Sequence, residues 1–275
     1  MTGPNFYFNN FLIGDRENKL FAFLPFLDKC TNRFNNVIKP AAEFMDLKSE
    51  ITNDERSGKE IMERVYEAIN TSKILLFDLS KDDRYNNKVN PNIAYELGVA
   101  RSVREDTDIL LITDIEDVEK EIFFDIRGMH IIKIQSDFTK EKFYEILKSV
   151  CKEQKYYQDK RIEAISKLID GEGIALMYKH GRLPDGYKHF STSGMSAELK
   201  MSALRLLDLG LVKAEWGCYK KGYEYAYHWT SFGKAIMKHM GINEIGLEEF
   251  KKLPEYQERL KFEENYREFK RKVSE

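Results

Sequence analysis

Between residues 20 and 135, short apolar runs alternate with longer stretches whose apolar positions recur every three to four residues. Leu20 to Leu24, closed by Pro25-Phe26, predicts a first strand. From Asn32 to Phe44, the positions Phe34, Val37, Ile38, Ala41 and Ala42 have helical spacing, with Pro40 expected to kink the helix or split it. A weaker strand is expected at Leu47 to Ile51. A polar loop from Thr52 to Gly58 then leads into a helix with Ile61, Val65, Ala68 and Ile69 on one face. The run Ile74 to Phe77 reads as a buried parallel strand delivering Asp78 to its carboxyl end. After the polar insertion Lys81 to Val89, a helix is expected over 91–104. Asn90 can cap it, Pro91 fits its first position, and Gly98 should allow close backbone packing. Strands at Ile109 to Thr113 and Ile131 to Ile134 and a helix from about Thr139 complete the alternation.

Such alternation implies right-handed crossovers and a mainly parallel sheet covered on both faces. The expected fold class is therefore α/β, with a flavodoxin-like sheet of five strands. In that topology ligands sit outside the carboxyl ends of the strands, at the switch point between the first and third. Those ends are Phe26 and Asp78. Asn92 and Glu96, four residues apart, share a helical face and are expected to aim with Asp78 at one region.

Near Lys152 to Lys160 the composition becomes charged and aromatic and the alternation stops. The expected domains are 1–157, 158–243 and a charged helical tail, 244–275. In the second, helices at 161–170 and 172–180 precede a loop, a helix from Ser196 to Leu209, a hairpin around Lys220-Lys221-Gly222, and a helix capped by Thr230. Helices, hairpin and closing helix predict a winged helix. Between residues 158 and 240, 13 Lys or Arg stand against 9 Asp or Glu. Lys200 and Arg205 on the helix and Lys220 and Lys221 at the wing are the candidate phosphate contacts. A protein partner fits such a domain equally. Trp216, Trp229, Leu199, Ala203, Leu204, Leu206 and Leu207 are expected in its core.

The formal net charge of −2 gives no whole-chain case for a nucleic-acid or membrane surface. Cys30, Cys151 and Cys218 are far apart and lack His neighbours at ligand spacing, so free thiols and no metal site are expected. No apolar run approaches the roughly 20 residues of a membrane span. The expectation is a cytoplasmic protein.

Several segments together carry a family resemblance: Phe21 to Phe26, Val37 to Ala41, Ser57 to Met62, Asp78-Leu79-Ser80, Asn90 to Gly98 (NPNIAYELG) and Phe124-Asp125-Ile126-Arg127. Their order resembles that in bacterial TIR-like proteins, which are similar in turn to nucleoside 2-deoxyribosyltransferases. The match covers about residues 20 to 135. It departs from the family pattern in the long insertion Lys81 to Val89 and in Phe123, where a proline is usual. The resemblance implies cleavage of an N-glycosidic bond in NAD or a related nucleotide or nucleoside, without a cofactor. It makes Glu96 the catalytic carboxylate, because a carboxylate beside an oxocarbenium-like sugar stabilises or captures it. Asp78 is a second catalytic candidate, for a sugar hydroxyl or the leaving base.

Phe26, Arg56, Asn90, Asn92 and Asp125 are candidate substrate contacts. Asn90 also reads as a helix cap, Phe26 as core, Arg56 as solvated and Asp125 as half of an ion pair with Arg127. The pairing with a winged helix resembles anti-phage effectors, including retron-associated ones, which implies control by nucleic acid or a regulatory protein and a homo-oligomer or larger complex. A non-catalytic nucleotide sensor and a salvage deoxyribosyltransferase are the alternatives.

Overall fold

A computed structural model describes residues 16–52, 58–122, 126, 129–219, 222–254, 256, 257, 260 and 261. The chain divides into two compact units, Met1–Gln158 and Asp159–Glu275.

The first unit is built on β1 (Glu17–Phe23), β2 (Lys48–Ile51), β3 (Ser72–Asp78), β6 (Ile109–Thr113) and β7 (Ile131–Lys133). Every pairing among them is parallel, in the order β2-β1-β3-β6-β7. Side chains alternate across this sheet, as the strand pleat requires. Phe21, Phe23, Leu75, Phe77 and Leu111 pack with α3 (Gly58–Thr71) and α4 (Pro91–Arg101). Leu20, Ala22, Ile74, Leu76 and Ile112 pack on the other side with α1 (Asp28–Arg33), α2 (Lys39–Glu43) and α6 (Lys140–Ser166). The runs look continuously apolar because both faces are covered. Phe23 and Phe77 stack with ring centroids 4.4 Å apart, each fully buried. Burying such a side chain stabilises the fold by about 1.5–3 kcal/mol.

Pro40 does not break the helix. A π-helical turn, Phe34–Ile38, joins α1 to α2 and places Pro40 near the start of the new segment. There its missing N–H costs little. Gly98 differs from expectation too. It is exposed, and a side chain there would meet nothing within 4 Å.

The amino end of the sheet is closed by a buried arginine. Nη1 of Arg104 donates to the Ile69 carbonyl at 2.6 Å and Nη2 to the Lys73 carbonyl at 3.2 Å. Its Nε donates to Asp108 Oδ2 at 3.0 Å, and Gln154 of α6 donates to Asp108 Oδ1 at 3.0 Å. Burial pulls the Arg104 guanidinium down to about 10, against the opposing pull of Asp108.

The division between the units falls within α6, one continuous helix of 27 residues where the sequence suggested a break. The second unit continues with α7 (Gly171–Leu176), a π-helical turn (Met177–Gly181), β8 (Phe190–Ser191), α8 (Ala197–Asp208), β9 (Val212–Tyr219), β10 (Gly222–Trp229) and α9 (Ser231–His239). Its strands form an antiparallel sheet in the order β8-β10-β9.

Asp170 caps α7 by accepting from the Gly173 N–H at 2.7 Å, and it also accepts from Ser202 of α8. Thr230 caps α9 through Gly233 and donates to the Gly210 carbonyl at 2.8 Å. Trp229 is in the core, whereas Trp216 is 59% exposed and Leu204 45% exposed, contrary to the core positions expected for them. Both lie beyond the limits of the buried cluster around Leu206, Tyr227 and Ile236. Leu253 and Tyr256 pack on a satellite cluster of Leu183, Ile245 and Phe250. Among the described residues no helix is long and apolar enough to cross a membrane.

Candidate active site

Asp78 ends β3 and is fully buried. Arg33 Nη1 donates to its Oδ2 at 2.5 Å and to Ser80 Oγ at 3.0 Å. The Ser80 N–H donates to Asp78 Oδ1 at 3.0 Å. Four residues before Arg33 on α1, Lys29 pairs at 2.7 Å with Asp114, which follows β6. Asp114 also accepts from the Lys81 N–H at 2.8 Å, and its own N–H donates to Ser80 Oγ at 3.3 Å. Lys29 and Lys81 hold Asp114 below the usual carboxylate range against the opposing effect of burial. The carboxyl edge of β3 and β6 is thus a row of carboxylates matched by bases from α1. Cys30 lies beneath it, its thiol pushed up to about 12, first by burial and then by Asp78.

Glu96 stands on a different element. On α4 it shares the buried stripe with Ile93, Leu97 and Ala100, and it is only 8% exposed. It has no hydrogen-bond or ion-pair partner among the described residues. Burial alone pushes its carboxyl up to about 7. A carboxyl titrating there is available near neutral pH as an acid, a base or a nucleophile. On α4 beside it, Tyr95 is exposed and hydrogen-bonds Tyr66 of α3, which pushes the Tyr66 phenol up.

The two carboxylates do not share one wall. Asp78 follows the register of Ile74 and Leu76 and meets α1, whereas Glu96 rides the helix covering the opposite face. Asn92 shares the Glu96 face by spacing but is exposed. Asn90 serves the helix: its Oδ1 accepts from the Asn92 N–H at 2.9 Å and its Nδ2 donates to Asp82 at 2.8 Å. Phe26, just beyond β1, is 43% exposed and open to a ligand. Arg56, Asp125, Lys220 and Lys221 lie outside the described residues.

On α8 Lys200 is exposed, but Arg205 donates to Asp170 Oδ2 at 2.6 Å, so its charge is already matched within the unit. The insertion Lys81 to Val89 is ordered, with β4 (Lys81–Asp82) and β5 (Lys88–Val89) paired antiparallel around a short 3-10 turn. Asn86 and Asn87, each with φ of 57°, close that turn.

Sequence reasoning missed Arg33, Lys29, Asp114, Ser80 and Asp82. Asp114 had a signal, since it follows an apolar strand as Asp78 does. Lys29 and Arg33, at i and i+4 after the first strand, had a weaker one. Away from this edge, a groove of about 460 Å³ is lined by Glu17, Lys19, Phe21, Glu50, Glu63 and Arg64. It contains none of the candidate site residues, and Lys19 and Arg64 there pair with Glu17 and Glu50. Among the described residues no group of three or more His, Cys, Asp or Glu side chains is placed to hold a metal ion. No protein-family model matches the chain, and no curated protein matches it.

Proposed function

We propose that the first unit cleaves the N-glycosidic bond of NAD or a related nucleotide or nucleoside, with Glu96 as the catalytic carboxylate. The observation that carries this reading is a buried carboxyl, raised by burial to about 7 and without a hydrogen-bond or ion-pair partner among the described residues, on the helix that follows β3 of a parallel sheet. Departure of the base builds positive charge on the sugar, and a desolvated carboxylate answers that charge more strongly than one in water. Glu96 stabilises or captures the sugar cation, and water or a second base then accepts it. Asp78 is fully buried with both oxygens committed to Arg33 and Ser80, and it serves to fix the carboxyl edge of the sheet rather than to touch the sugar. Phe26 offers a ring to a base. The resemblance of NPNIAYELG and its companion segments to TIR-like proteins supports the same reaction.

The second unit is read as a winged helix that regulates the first in a cytoplasmic anti-phage effector assembled as a homo-oligomer or larger complex. Exposed Lys200 on α8 supports a contact with nucleic acid. The test is to incubate the purified chain with NAD, ATP and deoxynucleosides, with and without DNA or RNA, and follow free base by chromatography. Base release abolished in Glu96→Gln supports the enzyme. Tight nucleotide binding without release under every condition replaces it with a nucleotide sensor, and base exchange without hydrolysis replaces it with a transferase.

A further inference from the structure

Polar insertions normally hold their charges in water, yet Asp82 in the Lys81 to Val89 insertion is fully buried. Its Oδ1 accepts from the Arg84 N–H at 3.1 Å and from Arg84 Nε at 2.9 Å. Its Oδ2 accepts from Arg84 Nη2 at 2.7 Å and from Asn90 Nδ2 at 2.8 Å. Arg84 first, and Asn90 with it, hold the Asp82 carboxyl below the usual carboxylate range against burial. The bond to Asn90 is the one that leaves the insertion. Asn90 turns its other side-chain atom, Oδ1, to the Asn92 N–H, and its carbonyl accepts from Ala94, so a single residue fixes the first turn of α4. Glu96 sits in the following turn, where burial raises its carboxyl and no charged group among the described residues contributes. How deeply α4 is seated therefore decides how dry Glu96 is.

We infer that Asp82 is a positioning residue for Glu96: it orients Asn90, Asn90 sets the first turn of α4, and that turn seats the carboxyl. This inference rests on the reading of Glu96 as the catalytic carboxylate. It gives the insertion a part in the reaction without contact to the reacting atoms. Displacement of a catalytic group by about 1 Å can cost on the order of 100-fold in rate.

The test compares Asp82→Ala, Asn90→Ser and Asp83→Ala with the wild-type chain, each confirmed as folded by circular dichroism. The readouts are kcat and KM for base release, and the Glu96 titration followed by carboxyl-carbon NMR in glutamate-labelled protein with Glu96→Gln as the assignment control. In Asp82→Ala, kcat is expected to fall about tenfold or more with KM held within about threefold. The Glu96 midpoint should move from about 7 toward its ordinary 4.5. Asp83 makes no bond to Asn90, and its variant should match wild type. Asn90→Ser keeps a capping oxygen but lacks the donor to Asp82. It should reproduce the Asp82→Ala shifts, and it carries the test where Asp82→Ala does not fold. A folded Asp82→Ala or Asn90→Ser chain with unchanged kcat and an unmoved Glu96 midpoint overturns the inference, as does a fall in kcat without movement of that midpoint. A wild-type chain that releases no base defeats the glycosidase reading instead, and the Glu96 titration still decides the role of Asp82 because it needs no turnover.

Discussion

Arg33 and Asp78 meet at 2.5 Å across the carboxyl edge of the sheet, with side chains 11% and 0% exposed. Breaking such a pair strands one charge in the interior, whereas replacing both partners with apolar side chains is tolerated. Arg33→Met should therefore cost about 3–5 kcal/mol of unfolding free energy in urea titration. The double variant Arg33→Met with Asp78→Leu should recover most of that loss. The same experiment on Lys29→Met should show a smaller effect, because Lys29 is 45% exposed and water screens its pair with Asp114.

The buried carboxyl of Glu96 should leave its mark on stability. Its folded value of about 7 lies above the ordinary 4.5, so the folded chain holds a proton that the unfolded chain gives up. Stability is then lost as pH rises between those two values, by about 3 kcal/mol in full above them. Glu96→Gln removes this dependence. Unfolding free energies at pH 5 and pH 8 should show wild type losing more stability than Glu96→Gln across the interval, while the variant loses activity. Equal losses in the two chains would mean that Glu96 is not desolvated.

Trp216 and Trp229 lie on the same hairpin in opposite environments, 59% and 6% exposed. Trp229→Ala should cost about 3–5 kcal/mol, as removal of a large core side chain does. Trp216→Ala should cost under about 1 kcal/mol. Iodide should quench the fluorescence of Trp229→Phe, which retains Trp216, far more than that of Trp216→Phe.

Two glycines should respond in opposite directions. A side chain at Gly233 of α9 would overlap the Leu211 carbonyl, so Gly233→Ala should lower the Tm of the second unit. Gly98 lies in the interior of α4 with open space beside it. Gly98→Ala should be neutral or stabilising by up to about 1 kcal/mol, read from the same melting curves.

Much of the first unit was legible because its strands are apolar on both faces and its helices on one stripe. Ile74 to Phe77 had no plausible solvent face, so a buried parallel strand was the reading left. Asn90-Pro91 announced a helix start through cap chemistry that depends only on neighbouring residues. What escaped depends on partners distant in sequence. Arg33 and Asp78 are 45 residues apart, and Lys29 and Asp114 are 85 apart. Period-two alternation put Asp78 on the α1 face, yet spacing alone suggested that it converged with Glu96. The insertion read only as polar, because a buried Asp82 is intelligible only once Arg84 and Asn90 are seen around it. Trp216 looked like core because a large aromatic side chain on a hairpin reads as apolar whether or not its face is covered.

The most direct test of the central claim is a paired measurement on Glu96→Gln and wild type with NAD: nicotinamide release followed by chromatography, and nucleotide affinity by calorimetry. Glu96 as the catalytic carboxylate predicts release by wild type and a loss of about 100-fold or more in kcat for the variant, with Kd changed by less than about threefold. Turnover by Glu96→Gln within about twofold of wild type would contradict it.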